Sequence, residues 1–437
     1  MLKMLKTKKI ASLTLGCKVN SYDTAAMLSQ FSSKGYTIEE DFDAVADVYL
    51  INTCTITNLG DKKSRQMIRR ARANNPSALV VAAGCYAQVA PKDVAAIEGV
   101  NIVIGNKDRT NIVNVVESYT GNQTHIYNAD LRYEKIFEEL KLESAGTKTR
   151  AFVKIQEGCD QFCSYCIIPY ARGRSRSRDI TNIVSEVELL CKKGYKEVVL
   201  TGIHVASYGK DLQNTSLADV IKEVHQISGV ERIRLSSIEP GAATESFVSE
   251  ISKLPKVCDH FHLSLQSGSN KILAAMSRKY RTGDFFRAVA MLRKSMPKVS
   301  ITTDVIVGFP GESDKDFAET VSFVESIGFA GIHIFPFSAK KGTKAHGFGE
   351  QVSPQTKNHR AKVLKEVEER QRKQFVVDNV GEKLKVLYET KIDNETYEGY
   401  STNYIKVRSQ SVKCLKNQIL EVAVEKEENG YAIGSIG

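Results

Sequence analysis

Within the run EGCDQFCSYC, Cys159, Cys163 and Cys166 stand in the spacing C-x₃-C-x₂-C. Three thiolates this close can close around one metal centre, yet a structural zinc takes four ligands, so the spacing leaves a coordination position open. An iron–sulfur cluster held by three thiolates keeps one iron free to bind and reduce a small molecule. The position of the tract constrains the fold as well. It directly follows the strand-like AFVKIQ (151–156), the first of six strand-and-helix recurrences that run to about Ser353. The other strands are EVVLTG (197–202), RIRLSS (232–237), HFHLSL (260–265), SITTDVIVGF (300–309) and GIHIFPF (331–337). Six βα units in succession predict a partial parallel barrel with its loops gathered around one mouth.

A chain of 437 residues exceeds what one hydrophobic core serves, so two or three domains are expected, and 42% hydrophobic with 26% charged residues reads as globular. The longest apolar runs, ALVVAAG (78–84) and EVVLTGI (197–203), fall far short of the ~20 residues of a membrane span. The lysine-rich start lacks the apolar core of a secretory signal. The expected location is the cytosol, where clustered cysteines bind metal or do chemistry rather than pair. A net charge of +10 suits an anionic partner such as nucleic acid, although a solvated surface carries such charge equally well. Lys62, Lys63, Arg65, Arg69, Arg70 and Arg72 crowd one helix, and Arg172, Arg174, Arg176 and Arg178 alternate just after the cysteine triplet.

From Ile10 to about Ser118, strand-like segments (10–15, 47–52, 78–83, 101–105) alternate with helical ones (21–34, 59–74, 91–97, 108–118). This pattern predicts a flavodoxin-like parallel sheet with helices on both faces. Cys17, Cys54 and Cys85 each follow the carboxyl end of a different strand, the rim along which open sheets bind ligands. Lone buried cysteines would have no reason to choose one edge, so a spatial cluster is the favoured reading over separate core residues. Gly16, Asn52, Thr53 and Gly84 beside them suit tight turns and donors to sulfur. A polar stretch from Tyr119 to Thr149 reads as a connection with a short helix at YEKIFEELK. After a long charged helix with Pro354 in its first turn, the segments KLKVLYE, TYEGYST, YIKVRS and ILEVAVEK predict a small β-barrel. Tyr397, Tyr400 and Tyr404, interleaved with Lys383, Lys385 and Lys406, can stack bases and neutralise phosphates, or simply pack that barrel.

The C-x₃-C-x₂-C triplet with Tyr165 before its last cysteine resembles the signature of radical S-adenosylmethionine enzymes. Together with TLGCKVNSYDT, INTCTIT and VAAGCYAQ, and with the terminal barrel, the whole chain resembles the methylthiotransferase family. The resemblance implies three domains: a methylthiotransferase domain over 8–120, a radical S-adenosylmethionine domain over 145–375 and an RNA-binding TRAM domain over 378–437. It implies two [4Fe–4S] clusters, one on Cys17, Cys54 and Cys85 and one on Cys159, Cys163 and Cys166, with S-adenosylmethionine bound at the second. GCKVN (16–20) looks like the branch acting on N6-threonylcarbamoyladenosine at tRNA position 37. The isopentenyladenosine branch reads Gln-Met at Lys18 and Val19, and the branch acting on an aspartate of ribosomal protein S12 has Lys at Val19.

The same resemblance implies cofactor contacts from Tyr165, Gly202, Ser237, Glu239, Gln266, Gly308 and Pro310 around the mouth. Arg172 and Arg174 are expected to hold substrate phosphate or the cofactor carboxylate. The implied partners are the tRNA anticodon stem-loop, an electron donor and a sulfur source, with a monomeric enzyme and no membrane. Related chains from eukaryotes end in a membrane anchor, whereas this one ends after the barrel, as suits a bacterial cytosolic form. In FSAKKGTKAH (337–346), Lys341 and Lys344 replace family prolines, so a more mobile loop is expected. Cys191, Cys258 and Cys414 follow no spacing, and His204, His225, His260 and His262 form no ligand set in the sequence. The rival of another class is a non-catalytic RNA-binding protein with structural zinc, which would require closed four-ligand sites.

Overall fold

The computed structural model describes residues 7–121, 123–142 and 149–437. The amino-terminal region is a six-stranded sheet of β1 (Lys9–Thr14), β2 (Thr37–Glu39), β3 (Val48–Thr53), β4 (Leu79–Gly84), β5 (Ile102–Ile104) and β6 (His125–Tyr127). The order is β2-β1-β3-β4-β5-β6 and every pairing is parallel. Alternate residues of the central strands feed two cores: Tyr49, Ile51, Val80 and Ala82 on one face, Val48, Leu50, Val81 and Ala83 on the other. Both faces are therefore covered by helices, which is why these strands read as unbroken apolar runs. The edge strands β2 and β6 have only three residues each and no such run, so the sequence pattern does not reveal them.

The helix expected at residues 133–141 does not form. Its acids are drawn elsewhere: Glu138 pairs with Arg109 at 2.8 Å and Glu139 with Arg178 at 2.9 Å. Leu140 and Leu142 are buried in the neighbouring core, and Tyr22 Oη donates to the Leu140 carbonyl at 3.1 Å. Tertiary contacts outweigh a weak local helical preference here.

The six expected barrel strands are present as β7 (Arg150–Glu157), β9 (Glu197–Gly202), β10 (Arg232–Leu235), β11 (His260–His262), β12 (Ser300–Val307) and β13 (Gly331–Pro336). A two-residue β8 (Arg176–Ser177) lies antiparallel on β7. Parallel bridges Ile233–Val257 and Ile238–Leu263 carry the first group of strands into the second. Among the described residues β13 pairs only with β12, so the barrel stays open between β13 and β7. Its core joins Val153, Leu200, Ile233, Leu263 and Val305. Helix Lys18–Ser33 of the amino-terminal region packs on β7 and β9, and Tyr22 and Ala26 enter the same core.

Helix Pro354–Val377 starts on a Ser353 side chain that accepts from Thr356 N and packs against β13. It leads to a closed barrel of β14 (Lys383–Lys391), β15 (Thr396–Ser401), β16 (Lys406–Gln410), β17 (Ile419–Glu428) and β18 (Tyr431–Ile436), in the order β14-β15-β16-β18-β17. The closing strand β18 is the one that sequence patterning misses. Two of its six residues are Ala432 and Gly434, and a Cβ on Gly434 would meet the Ala423 carbonyl at 2.5 Å. Among the described residues no helix is long and apolar enough to cross a membrane.

Candidate functional site

Strands β1, β3 and β4 are neighbours, and the residues just past their carboxyl ends are Cys17, Cys54 and Cys85. Gly16 (φ +103°) and Gly84 (φ +93°) turn the chain where a side chain would not fit: a Cβ on Gly16 would lie 3.0 Å from Cys54 Sγ, and one on Gly84 2.2 Å from Asn52 Oδ1. Asn20 holds the three loops together. Its Nδ2 donates to the carbonyls of Leu15 (2.7 Å) and Thr53 (3.1 Å), while its Oδ1 lies 4.0 Å from both Cys17 Sγ and Cys85 Sγ. Cys54 and Cys85 are buried and Cys17 is open to solvent. Burial raises the Cys17 thiol pKa, and the nearby charge of Arg172 opposes that rise. Burial likewise pushes Cys54 up to about 11.

The second triplet follows β7. Gly158 (φ +72°) is obligatory, since a Cβ there would stand 1.8 Å from the Arg174 carbonyl. Cys159 N donates to Gly173 O at 3.0 Å and Cys166 N to Cys163 O at 3.0 Å, which winds the loop around its sulfurs. Gln161 N approaches Cys159 Sγ at 3.5 Å and Arg278 Nη1 donates to Cys163 Sγ at 3.2 Å. Burial pushes Cys159 up to about 11 and Cys166 up to about 12, so metal binding there must displace protons. Arg278 also pairs with Glu239 at 2.8 Å, and Glu239 accepts from Gln161 at 3.2 Å and faces His204 Nε2 at 3.2 Å. Sequence reasoning overlooks Arg278, because a lone arginine after MS (276–277) carries no spacing signal.

A buried charge network joins the two triplets. Arg172 follows Cys166 on helix Ile168–Arg172, Glu157 precedes the Cys159 loop, and Asp23 lies on the helix that Cys17 caps. Arg172 Nη1 pairs with Asp23 and Glu157, both at 2.8 Å; Nη2 donates to Asn20 Oδ1; and Nε donates to Cys85 Sγ at 3.3 Å. Lys154 pairs with Asp23 (2.6 Å) and Glu157 (2.9 Å), and Arg109 with Asp23 (2.6 Å). Arg172 is 0% exposed, so the expectation that it meets substrate phosphate or cofactor carboxylate is corrected: its fork is consumed inside the protein. Arg176 and Arg178 are buried too, whereas Arg174 remains at the surface, paired with Asp160 at 3.1 Å.

The remaining candidates fall at successive strand ends around one mouth. Gly202 ends β9 against Gln156, Ser237 and Glu239 follow β10, Gln266 (φ +69°) follows β11, and Gly308 and Pro310 follow β12. Gly308 N donates to Glu312 Oε2 at 2.6 Å. Tyr165 packs against the apolar cluster of Ile272, Met276, Ile306, Phe309, Phe337 and Ala345. On the carboxy-terminal barrel, Lys383 and Lys385 are exposed. Tyr397 is in that barrel's core, which removes it from base stacking. Tyr400 and Tyr404 are also corrected. They stack on each other at 4.8 Å, Tyr404 stacks on His260 at 4.3 Å, and Arg232 and Arg234 donate to the carbonyls of residues 400–402. This turn docks on the amino-terminal ends of the barrel strands. On the basic helix Asn58–Asn74, Arg72 is spent on the Ala78 and Gly99 carbonyls and Arg70 on Asp43, while Lys62, Lys63 and Arg69 stay exposed.

Both triplets fit an iron–sulfur cluster. Among the described residues His262, Asp304 and His333 bring three ligand atoms within 4.8 Å of one another. The sequence spacing does not reveal that juxtaposition of His262 with Asp304 and His333. Arg172 Nε at Cys85 Sγ and Arg278 Nη1 at Cys163 Sγ place a cationic donor on one sulfur of each triplet.

These features define a radical S-adenosylmethionine protein with a second three-cysteine site. The Radical SAM superfamily matches residues 153–324, and Uncharacterized protein family UPF0004 matches residues 9–105. The fold is similar to that of the radical S-adenosylmethionine methyltransferase TsrM from Kitasatospora setae, with a TM-score of 0.56, 13% identity and coverage of 75% of this chain and 73% of that one. In sequence the chain is 39% identical to the threonylcarbamoyladenosine tRNA methylthiotransferase MtaB of Bacillus subtilis (strain 168), over 97% of this chain and 95% of the relative. It is 41% identical to the protein of the same name from Aquifex aeolicus (strain VF5), over 90% and 97%. Identity to a tRNA-2-methylthio-N(6)-dimethylallyladenosine synthase of Clostridium botulinum (strain Langeland / NCTC 10281 / Type F) is 34%, over 92% and 89%. The chain belongs to the radical S-adenosylmethionine methylthiotransferase family, in the threonylcarbamoyladenosine tRNA methylthiotransferase branch. It is a transferase, and its cofactors are S-adenosylmethionine and [4Fe–4S] clusters.

Proposed function

We propose that this chain methylthiolates C2 of N6-threonylcarbamoyladenosine at position 37 of tRNA. The observation that carries the reading is the pair of three-thiol sites joined through Arg172, which bonds Cys85 on one side and Glu157, at the root of the Cys159 loop, on the other. Cys17, Cys54 and Cys85 hold one cluster and Cys159, Cys163 and Cys166 the other. When bound, the second cluster with S-adenosylmethionine supplies a carbon radical and the first supplies the sulfur to be delivered. Such chemistry matches the target, because adenine C2–H has no acidity for ordinary base catalysis.

The chain's own groups position these parts. Tyr165, Gly202, Ser237, Glu239, Gln266, Gly308 and Pro310 surround S-adenosylmethionine at the mouth. Arg278, anchored by Glu239, steadies Cys163. Asn20 and Arg172 set the Cys17 and Cys85 sulfurs relative to the mouth. Arg174, Lys383 and Lys385 bind the phosphates of the anticodon arm, and lowering their charge weakens tRNA binding and flattens its salt dependence. The functional division is 8–120, 145–375 and 378–437. The enzyme works as a cytoplasmic monomer with an external electron donor and sulfur source.

Mass spectrometry of tRNA nucleosides from cells with and without the gene tests the reading. The expected result is loss of 2-methylthio-N6-threonylcarbamoyladenosine alone. Loss of the dimethylallyl analogue instead would move the substrate to the sister branch, and unchanged tRNA would move it to the aspartate of ribosomal protein S12. Purified protein containing zinc and no sulfide would overturn the catalytic reading.

A further inference from the structure

Three neighbouring parallel strands bring an imidazole, a carboxylate and a second imidazole onto one face. The register sets His262 of β11 opposite Thr302 of β12, and Asp304 of β12 opposite His333 of β13. Successive strand residues point to opposite faces. With Phe261, Val305 and Ile332 in the helix-covered core, His262, Asp304 and His333 therefore line the inner face of the open barrel. His262 Nε2 stands 3.2 Å from Asp304 Oδ2, and His333 Nδ1 stands 3.3 Å from Asp304 Oδ1. Two ligand atoms ~2.0–2.1 Å from one ion at a tetrahedral angle lie about 3.3 Å apart, so both spacings have the length of an edge of a coordination polyhedron.

Partners distinguish this carboxylate from the other buried acids. Glu197 pairs with Arg232 and Arg234, Glu157 with Arg172 and Lys154, and Glu312 with Arg360. Asp304 has no arginine or lysine within ion-pair distance among the described residues and meets the two imidazoles instead. His262 is 9% exposed, yet its buried Nε2, the atom turned to Asp304, has no hydrogen-bond partner. A purely hydrogen-bonded triad would place an N–H on the carboxylate there, whereas a metal ion takes a lone pair. Behind it, His262 Nδ1 meets Thr302 Oγ1 at 3.0 Å, and the same hydroxyl meets His260 Nε2 at 2.9 Å. Thr302 has one proton to give. Giving it to His260 leaves its oxygen to accept from His262 Nδ1–H, which makes Nε2 the lone-pair nitrogen; ligating histidines are held in this way through their other ring nitrogen. The His333 side chain is 69% exposed, so the set is open on the side of the barrel interior and retains positions for exchangeable oxygen ligands.

We propose that His262, Asp304 and His333 bind a divalent transition-metal ion, separate from both cysteine triplets. Two imidazoles and a carboxylate suit zinc, iron(II) or cobalt(II), whereas magnesium and calcium take oxygen ligands. The site stands or falls independently of which nucleoside the enzyme modifies. Its test uses the full-length protein with both [4Fe–4S] clusters in place, so that the cysteines are occupied, and Zn²⁺ as the probe. In anaerobic equilibrium dialysis one zinc per chain is the expected result. X-ray absorption at the zinc edge should then show nitrogen and oxygen neighbours at about 2.0–2.2 Å and no sulfur at about 2.3 Å. His333→Gln and Asp304→Asn should each weaken zinc binding by more than the roughly ten- to hundredfold that loss of an outer-shell hydrogen bond costs, with iron and sulfide per chain unchanged. Because His333 is largely exposed, its variant keeps the test decisive if Asp304→Asn unfolds. No retained zinc, a zinc shell that contains sulfur, or undiminished affinity in the folded variants overturns the site.

Discussion

Arg172 touches Cys85, Asn20, Asp23 and Glu157 with one guanidinium, and nothing in the run ARGRSRSR distinguishes it from Arg174, which faces solvent. The difference arises at Gly173, where a positive φ of 72° turns the chain between an inward and an outward arginine. Replacing Arg172 by Met leaves two carboxylates buried short of a partner, at a cost of about 3–5 kcal/mol. Chemical denaturation should register that loss, and iron analysis should show the Cys85 site depleted; Arg172→Lys should keep part of the stability but lose the bond to sulfur. Gly158 gives the complementary case. Gly158→Ala drives a methyl group into the Arg174 carbonyl at a left-handed φ, so iron per chain should fall by about half as the Cys159 loop fails to close while the amino-terminal site persists.

Elements were legible in proportion to how much of their pattern is local. The central strands β3 and β4 are buried on both faces and announce themselves as apolar runs, and a strand-end cysteine is visible once the strand is. The segment 133–141 has helical periodicity, yet its glutamates and leucines serve Arg109, Arg178 and the barrel core, partners separated from it by tens of residues. The loop 337–346 shows the same effect in the other direction. Its lysines in place of prolines suggest mobility, but Asn58 donates to Ala339 O at 3.1 Å, Lys340 pairs with Asp61, and Ala345 N donates to Ser164 O at 2.8 Å, inside the Cys163 loop. This loop thus ties the basic helix to the second triplet. Lys340→Ala should speed amide hydrogen exchange across 338–346 and leave β12 protected, which exchange mass spectrometry can resolve peptide by peptide.

At the scale of the molecule, the charge network ties global stability to pH. Burial alone would raise the Glu157 carboxyl, but Arg172, Lys154 and Arg109 outweigh it and hold the group well below the ordinary carboxylate range. Asp23 is lowered by Arg109, Lys154 and Arg172 against the same burial. Both groups have depressed folded-state pKa values, so their contribution is complete above the unfolded carboxylate range, about pH 4, and is lost as pH falls through the folded values. Thermal unfolding followed from pH 7 downwards should therefore show a midpoint that drops steeply below about pH 4, and Glu157→Gln should flatten that limb while lowering the plateau. By itself the sequence determined the two cysteine sets, the strands whose ends carry them and the order of sheet, open barrel and closed barrel, because each depends on spacing or on periodicity within a short window. Only the tertiary structure decided that Arg172 faces inward and that Tyr400 and Tyr404 brace the barrel floor. Those outcomes depend on which distant groups meet, and burial makes an unpaired charge too costly to leave the choice to local pattern.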